Sequence, residues 1–257
     1  MTRAATTEQR PIYRLPVYRL GQTAFYMLRN QPRNLGQDFR FLINNLPATP
    51  VVAGSDNLPA TGPCVLVANH YERPGLWMGW SGAMLARAVH EHSGLRLRLV
   101  AITEWSDYRL GPFIVPPALT RCLCGRFFRV FGFIPMEPAS AGASRRADGV
   151  RRGLQAVRKG EIIGLFPEGD IGETPAMIPA QEGSGSFMLA LAARGAPIIP
   201  VGIFENDGRL HIRFGPPVDV DAARGAPRKT RDRAASYLAM TAVASLVPPE
   251  IQGSYRP

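Results

Sequence analysis

Cysteine is scarce in this chain: Cys64, Cys122 and Cys124 are its only three. Three thiols make no disulfide framework, and without a Cys-x-x-Cys pair they give no zinc signature, so a reduced, cytoplasmic setting with no bound metal is expected. Residues 1–10 lack the apolar core of a signal peptide, and no run approaches the ~20 apolar residues of a membrane-spanning helix. The most apolar stretch, 187–204, is interrupted by Arg194, Gly195, Pro197 and Pro200. Acids are outnumbered, 20 Asp plus Glu against 30 Lys plus Arg, for a net charge of +10. Such a balance attracts a polyanion, whether nucleic acid, an anionic bilayer or acidic small molecules. Zinc-finger spacing and RNA-binding signatures are missing, so nucleic acid is not the expected partner. The Gly-x-Ser-x-Gly elbow of serine hydrolases is missing too, and Gly183-Ser184-Gly185-Ser186 reads as a turn leading into a helix. No linker, internal repeat or low-complexity block divides the chain, which predicts one compact domain.

What is present begins with a basic, aromatic N-terminal segment. Between Arg10 and Arg40 there are six arginines and one acid, Asp38, interleaved with Tyr13, Tyr18, Phe25, Tyr26 and Phe39. Val17, Leu20, Ala24, Met27 and Leu28 recur at helical spacing, predicting an amphipathic helix that ends before Pro32. Residues 1–50 are therefore set apart as a basic amphipathic segment, with the main domain over 51–257. Such a helix suits an anionic membrane surface, with the protein peripheral on the inner face. It equally suits a cover for the protein's own core, its arginines facing water.

Short continuous apolar runs at 64–68, 97–102, 162–166 and 198–203 read as buried strands, and 210–214 adds a late one. Helical periodicity occupies 76–90, 147–158, 186–194 and 230–246. Strand and helix alternate, which predicts an α/β domain with a largely parallel central sheet flanked by helices.

In open α/β sheets, working residues gather where strands end. Two segments occupy such places: Asn69-His70-Tyr71-Glu72-Arg73-Pro74-Gly75, and Phe166-Pro167-Glu168-Gly169-Asp170. A histidine at a strand end has the pKa range of a general base, although the same position also suits a structural hydrogen-bonder. Pro167 stiffens the exit from its strand and Gly169 permits a turn, leaving Glu168 facing the crevice. Glu168 and Asp170 are then placed to hold His70, a substrate or an arginine, or to serve as turn carboxylates that cap a helix. His90 and His92, two apart, point to different sides of a helix and make a poor metal pair, and His211 reads as structural.

Over roughly Val51 to Pro217 the sequence resembles the phospholipid and glycerol acyltransferases, including the PlsC-type lysophosphatidic acid acyltransferases. Asn69-His70 with its lead-in Val65-Leu66-Val67-Ala68 resembles the family's first block, and Phe131-Gly132-Phe133-Ile134-Pro135 its second. Phe166-Pro167-Glu168-Gly169 resembles the third, and Pro197-Ile198-Ile199-Pro200-Val201 the fourth. The ending Ile212-Arg213-Phe214-Gly215-Pro216-Pro217 is family-like as well. The resemblance implies an O-acyltransferase of the 1-acylglycerol-3-phosphate acyltransferase type. It would have no bound cofactor and would take acyl-CoA or acyl carrier protein as donor and a lipid or lipid-like hydroxyl as acceptor. His70 would be the general base, Glu168 would shape the acceptor pocket, and Asn69 and turn amides would support the loop or an oxyanion. Asn69, Arg73, Pro167, Glu168 and Gly169 are the expected substrate-binding residues. A catalytically weak or inactive relative that binds lipid or acyl chains is the alternative.

The chain departs from the family pattern in two ways. Where the family has an aspartate five residues after the histidine, this chain has Gly75, so Glu72 and Asp170 are the expected substitutes for a His-orienting carboxylate. Where the family has phosphate-binding Arg and Lys, this chain has Met136 or Glu137, Gly172, and Gln181-Glu182. An acceptor hydroxyl on a neutral lipid, sugar or carotenoid-like molecule is expected in place of a simple glycerol phosphate.

Overall fold

The computed structural model describes residues 12–44, 46, 48–102, 109–110, 113–137 and 143–256. In chain order the elements are α1 (Val17–Arg29), α2 (Leu35–Asn44), β1 (Val51–Ala53), β2 (Cys64–Ala68), α3 (Met78–Ser93), β3 (Leu97–Ile102), β4 (Arg109–Leu110), β5 (Phe113–Ile114), α4 (Pro117–Phe131) and β6 (Ile134–Met136). They continue with α5 (Ala143–Arg158), β7 (Ile162–Leu165), α6 (Ser184–Ala192), β8 (Ile198–Asn206), β9 (Arg209–Phe214) and α7 (Arg231–Ala244). The strands predicted at 64–68 and 97–102 form with those bounds. The strands predicted at 162–166, 198–203 and 210–214 form with small shifts at their ends. The short strands β1 and β6 and the helices α2 and α4 were not predicted as elements. Three-residue strands are too short for a periodic pattern, and their existence depends on the neighbours they pair with.

Seven strands form one sheet in the order β1-β9-β8-β2-β7-β3-β6. All its pairings are parallel except β8 with β9, whose two strands are joined by a tight turn. The expected α/β class with a largely parallel sheet is thus the observed one. The crossover from β2 through α3 to β3 runs along the sheet in one direction, while those from β6 through α5 to β7 and from β7 through α6 to β8 run in the other. Parallel crossovers are right-handed, so α3 lies on one face and α5 and α6 on the opposite face. α7 packs beside α6 and over β8 and β2, α2 packs on α3, and α1 packs on α4.

Strand β2 is the centre of the sheet, and every residue from Cys64 to Ala68 is buried. Burial on both faces explains why this strand reads as an unbroken apolar run with no alternation. Its register with both neighbours decides what its C-terminal extension meets: Val67 pairs with Leu165 of β7, and Ala68 with Val201 of β8. Three residues beyond the first pair stand His70 and Glu168. Equal extensions from adjacent parallel strands bring these two residues side by side.

Candidate active site

The chain leaving β2 is tied down before it reaches His70. The Asn69 side chain accepts from the Ile203 amide (2.8 Å) and donates to the Ile203 carbonyl (2.8 Å), continuing the β2–β8 ladder by one rung. Asn69 is fully buried and its amide serves as a structural tie, the loop-supporting arrangement that was one of the roles expected for it. The next residue is fixed through its main chain: the His70 amide donates to Glu168 Oε1 at 2.8 Å. Glu168 Oε2 accepts from the Ile178 amide at 2.8 Å, so one carboxylate joins the two loops of the site.

The His70 ring stacks on Phe166, with centroids 4.7 Å apart and planes 23° from parallel. Its Nδ1 is sealed from solvent and makes no hydrogen bond. Burial depresses the His70 pKa to about 4, a shift that the nearby Asp170 charge opposes without cancelling. The imidazole is therefore neutral at physiological pH, with Nε2 the nitrogen left to meet a ligand. Glu168, 2% exposed, is pushed the other way: desolvation raises its pKa to about 7 against the two amides that favour its charged form.

Glu168 sits in a turn built for it. Gly169 donates its amide to the Phe166 carbonyl at 3.0 Å and has φ of +63°. Pro167 supplies the fixed φ that suits the second position of such a turn. The expected substrate-binding assignment of Pro167 and Gly169 thus meets a conformational role in the structure. A Cβ at position 169 would also lie within 2.5 Å of the Gln181 side chain. The other loop turns at Pro74-Gly75, with Arg73 and Leu76 exchanging backbone hydrogen bonds of 3.2 and 2.9 Å. Gly75 has φ of +84°, the geometry of a type II turn with glycine in its third position. This accounts for the missing aspartate, because a side chain there would have to adopt a backbone conformation that favours glycine.

The two carboxylates expected to stand in for that aspartate differ in what they do. Glu72 Oε2 accepts from the Met78 amide at 2.9 Å, at the start of α3, so it caps a helix and does not hold His70. Asp170 is exposed, accepts from the Ile171 amide at 2.8 Å, and acts on His70 through its charge. Arg73, expected to bind substrate, is 7% exposed and forms a two-pronged ion pair with Glu205, at 2.7 Å from Nε and 2.5 Å from Nη2. Its Nη1 donates to the Pro74 carbonyl at 2.7 Å. Both charged groups are nearly sealed, so the pair clamps the His70 loop to the end of β8.

Beside these loops lies a cleft of about 460 Å³. Its walls come from residues 72–77 and 171–175 together with Tyr13, so it adjoins the segments carrying His70 and Glu168 without His70 itself forming a wall. Tyr13 was legible only as one aromatic among several. In the structure its amide donates to the Gly75 carbonyl at 2.7 Å, and its ring lies 5.8 Å from the Arg73 guanidinium and 5.9 Å from the Trp80 ring. Glu205, Trp77 and Glu173 were also missed, since nothing local marks them. No group of three metal-ligating side chains occurs among the described residues. The remaining histidines have structural neighbours: His90 Nδ1 lies 3.4 Å from the Asn34 side chain, His92 Nε2 lies 3.2 Å from the Leu58 carbonyl, and His211 stacks on Phe204.

With the geometry in place, the likenesses to known proteins fall into line. A family model described as Acyltransferase matches residues 111–204, a span that includes Glu168 and begins after His70. The crystal structure of the 1-acyl-sn-glycerophosphate (LPA) acyltransferase PlsC from Thermotoga maritima is similar, with a TM-score of 0.52 and 16% identity. The similarity covers 90% of this chain and 84% of that one. This is a PlsC-like acyltransferase fold. No curated protein matches the sequence. The PlsC-like fold accounts for the position of His70 and Glu168 at the carboxyl ends of the central strands, where an α/β sheet opens a crevice.

Proposed function

We propose that this protein transfers a fatty acyl group from an acyl thioester, acyl-CoA or acyl carrier protein, to a hydroxyl of a lipid or lipid-like acceptor. The observation that carries this reading is His70 at the end of β2, its amide bonded to Glu168 and its ring stacked on Phe166. His70 Nε2 takes the proton of the acceptor hydroxyl as its oxygen attacks the thioester carbonyl. The tetrahedral oxyanion then collapses, the C–S bond breaks, and the thiolate leaves with the proton returned from His70. No covalent intermediate on the enzyme is needed. Nδ1 must carry the other proton for Nε2 to act as base, and in its sealed position that N–H is unpaired. An unpaired buried donor costs about 1–3 kcal/mol, and this favours a second reading, slow chemistry on a lipid-binding protein.

The experiment is acceptor-dependent thiol release from acyl-CoA, followed against pH. An imidazole depressed from 6.5 to about 4 stays unprotonated as pH falls through 6, so the acid limb of kcat/KM is expected near 4. Glu168, titrating at about 7, is expected to add an inflection there that Glu168→Gln removes. A single limb at the ordinary histidine value, retained in Glu168→Gln, would overturn the assignment of His70 as the base.

The same proposal places the protein on the inner face of an anionic membrane. No helix among the described residues is long and apolar enough to cross a bilayer. In α1 no residue is buried, and Val17, Leu20, Phe25 and Leu28 are exposed beside Arg14 and Arg29. The adjoining α4 exposes Leu119 and Leu123 next to Arg121 and Arg126. Apolar residues bordered by arginines match the acyl boundary and headgroup layers of such a surface. Paired substitutions Val17→Glu and Leu28→Glu are expected to lower co-sedimentation with phosphatidylglycerol vesicles at least tenfold, since each removes an inserted side chain and adds repulsion. Unchanged sedimentation would refute this placement.

A further inference from the structure

The cleft beside His70 is acidic in a protein of net charge +10. Among the described residues lining it, the one cation is Arg73, whose guanidinium is already bound to Glu205 and to the Pro74 carbonyl. Glu72 and Glu173 line the same cleft. Glu72 Oε2 accepts from the Met78 amide, leaving Oε1 as an acceptor, and Glu173 is exposed. Two carboxylates lining the cleft, with its guanidinium already neutralised, disfavour a phosphate dianion there.

The cleft also has a flat aromatic wall. Trp77 is 56% exposed although it immediately precedes α3. Its indole lies against Gly79, where a Cβ would sit 2.2 Å from the ring, so the absence of a side chain at 79 lets the ring settle on the helix. The ring thus rests on the start of α3 and lines the cleft. Gly172 and Thr174, small and polar, also line the cleft. An aromatic ring and two carboxylates lining one cleft match a ligand that has an apolar face and a rim of hydroxyl donors.

Resting on the acyl-transfer reading, we propose that this cleft binds the phosphate-free, polyhydroxylated head group of the acceptor, as in a glycosylated lysolipid. The sugar stacks on Trp77 and its hydroxyls donate to Glu72 Oε1 and Glu173. One of those hydroxyls, or the lipid hydroxyl beside them, is carried toward His70 by the loop that both share.

The test uses the full chain and four lysolipids of one acyl length: glucosyl monoacylglycerol, plain monoacylglycerol, lysophosphatidic acid and an amine-headed lysolipid. Thiol release from acyl-CoA is measured with the wild-type protein. Equilibrium binding of the same lipids is measured with His70→Ala, so that affinity is read without turnover. The glucosyl lipid is expected to bind and react best. Trp77→Ala is expected to raise its KM, and weaken its binding, about tenfold, as for loss of one stacked ring, with Glu173→Gln giving a smaller loss. Equal or better use of lysophosphatidic acid, the amine-headed lipid or plain monoacylglycerol overturns the proposal, as does a KM indifferent to both substitutions. If no acceptor supports thiol release but the glucosyl lipid still binds best and depends on Trp77, the transfer reading fails and the cleft assignment stands. If transfer proceeds with lysophosphatidic acid preferred, the cleft assignment fails and the transfer reading stands.

Discussion

Replacing His70 with alanine is expected to lower acceptor-dependent thiol release by about 10²–10⁴-fold, the usual contribution of a positioned general base. The loss belongs in kcat, because the proton is transferred only as the acceptor oxygen attacks. The fold should survive the change. The contact that ties position 70 to Glu168 is made by the backbone amide, which alanine retains, and the Asn69 tie to Ile203 is independent of residue 70. What alanine removes is the ring stacked on Phe166, and with it the Nε2 proposed to take the acceptor proton. A variant that folds with the wild-type circular dichroism spectrum yet keeps a tenth or more of the activity would show that His70 is not the base. It would favour chemistry driven by positioning alone.

The second large effect concerns stability. Glu205→Ala should destabilise the protein by about 3–5 kcal/mol, because it leaves the Arg73 charge buried without its carboxylate. Arg73 and Glu205 have side chains 4% and 3% exposed, so solvent cannot compensate for either. Removing both charges is a different matter. The double substitution Arg73→Met with Glu205→Leu should recover most of the loss, since the desolvation cost of the pair disappears with its attraction. Urea midpoints of the single and double variants check this. A Glu205→Ala midpoint equal to that of the wild type would mean that the pair is hydrated in solution and does not clamp the loop. If the clamp is real, the double variant should fold yet show a raised acceptor KM, because Pro74 and Gly75, which line the cleft, lose their attachment to β8.

Much of the fold was legible because its inner strands are apolar runs, the central one, β2, being buried on both faces. Cys64–Ala68 and Leu97–Ile102 read as strands from composition alone, a signature that edge strands such as β1 and β6 do not carry. The helix of residues 17–29 was also legible, since its apolar spacing is regular and Asn30, with φ of +50°, ends it just ahead of Pro32. The site was legible to the extent that its residues directly follow strands. His70, Glu168, Pro167 and Gly169 could be named because strand ends in an α/β sheet are where chains turn into crevices. Their individual roles were less so. Asn69 looked available to a substrate until its amide was found bonded to Ile203, 134 residues away. Glu72 looked like a partner for His70 until the first turn of α3 was found to use it.

The sequence by itself determined the local conformations: which runs form strands, where Pro and Gly force turns, and that Gly75 stands where a carboxylate would be expected. These depend on interactions among near neighbours, which a linear pattern records. Only the tertiary structure decided which charges are available. Parallel register set Glu168 against His70, the end of β8 neutralised Arg73, and the docking of Tyr13 on Gly75 closed one side of the cleft. Each outcome depends on contacts between segments remote in the chain, where desolvation and pairing decide whether a charged side chain serves a ligand or the fold.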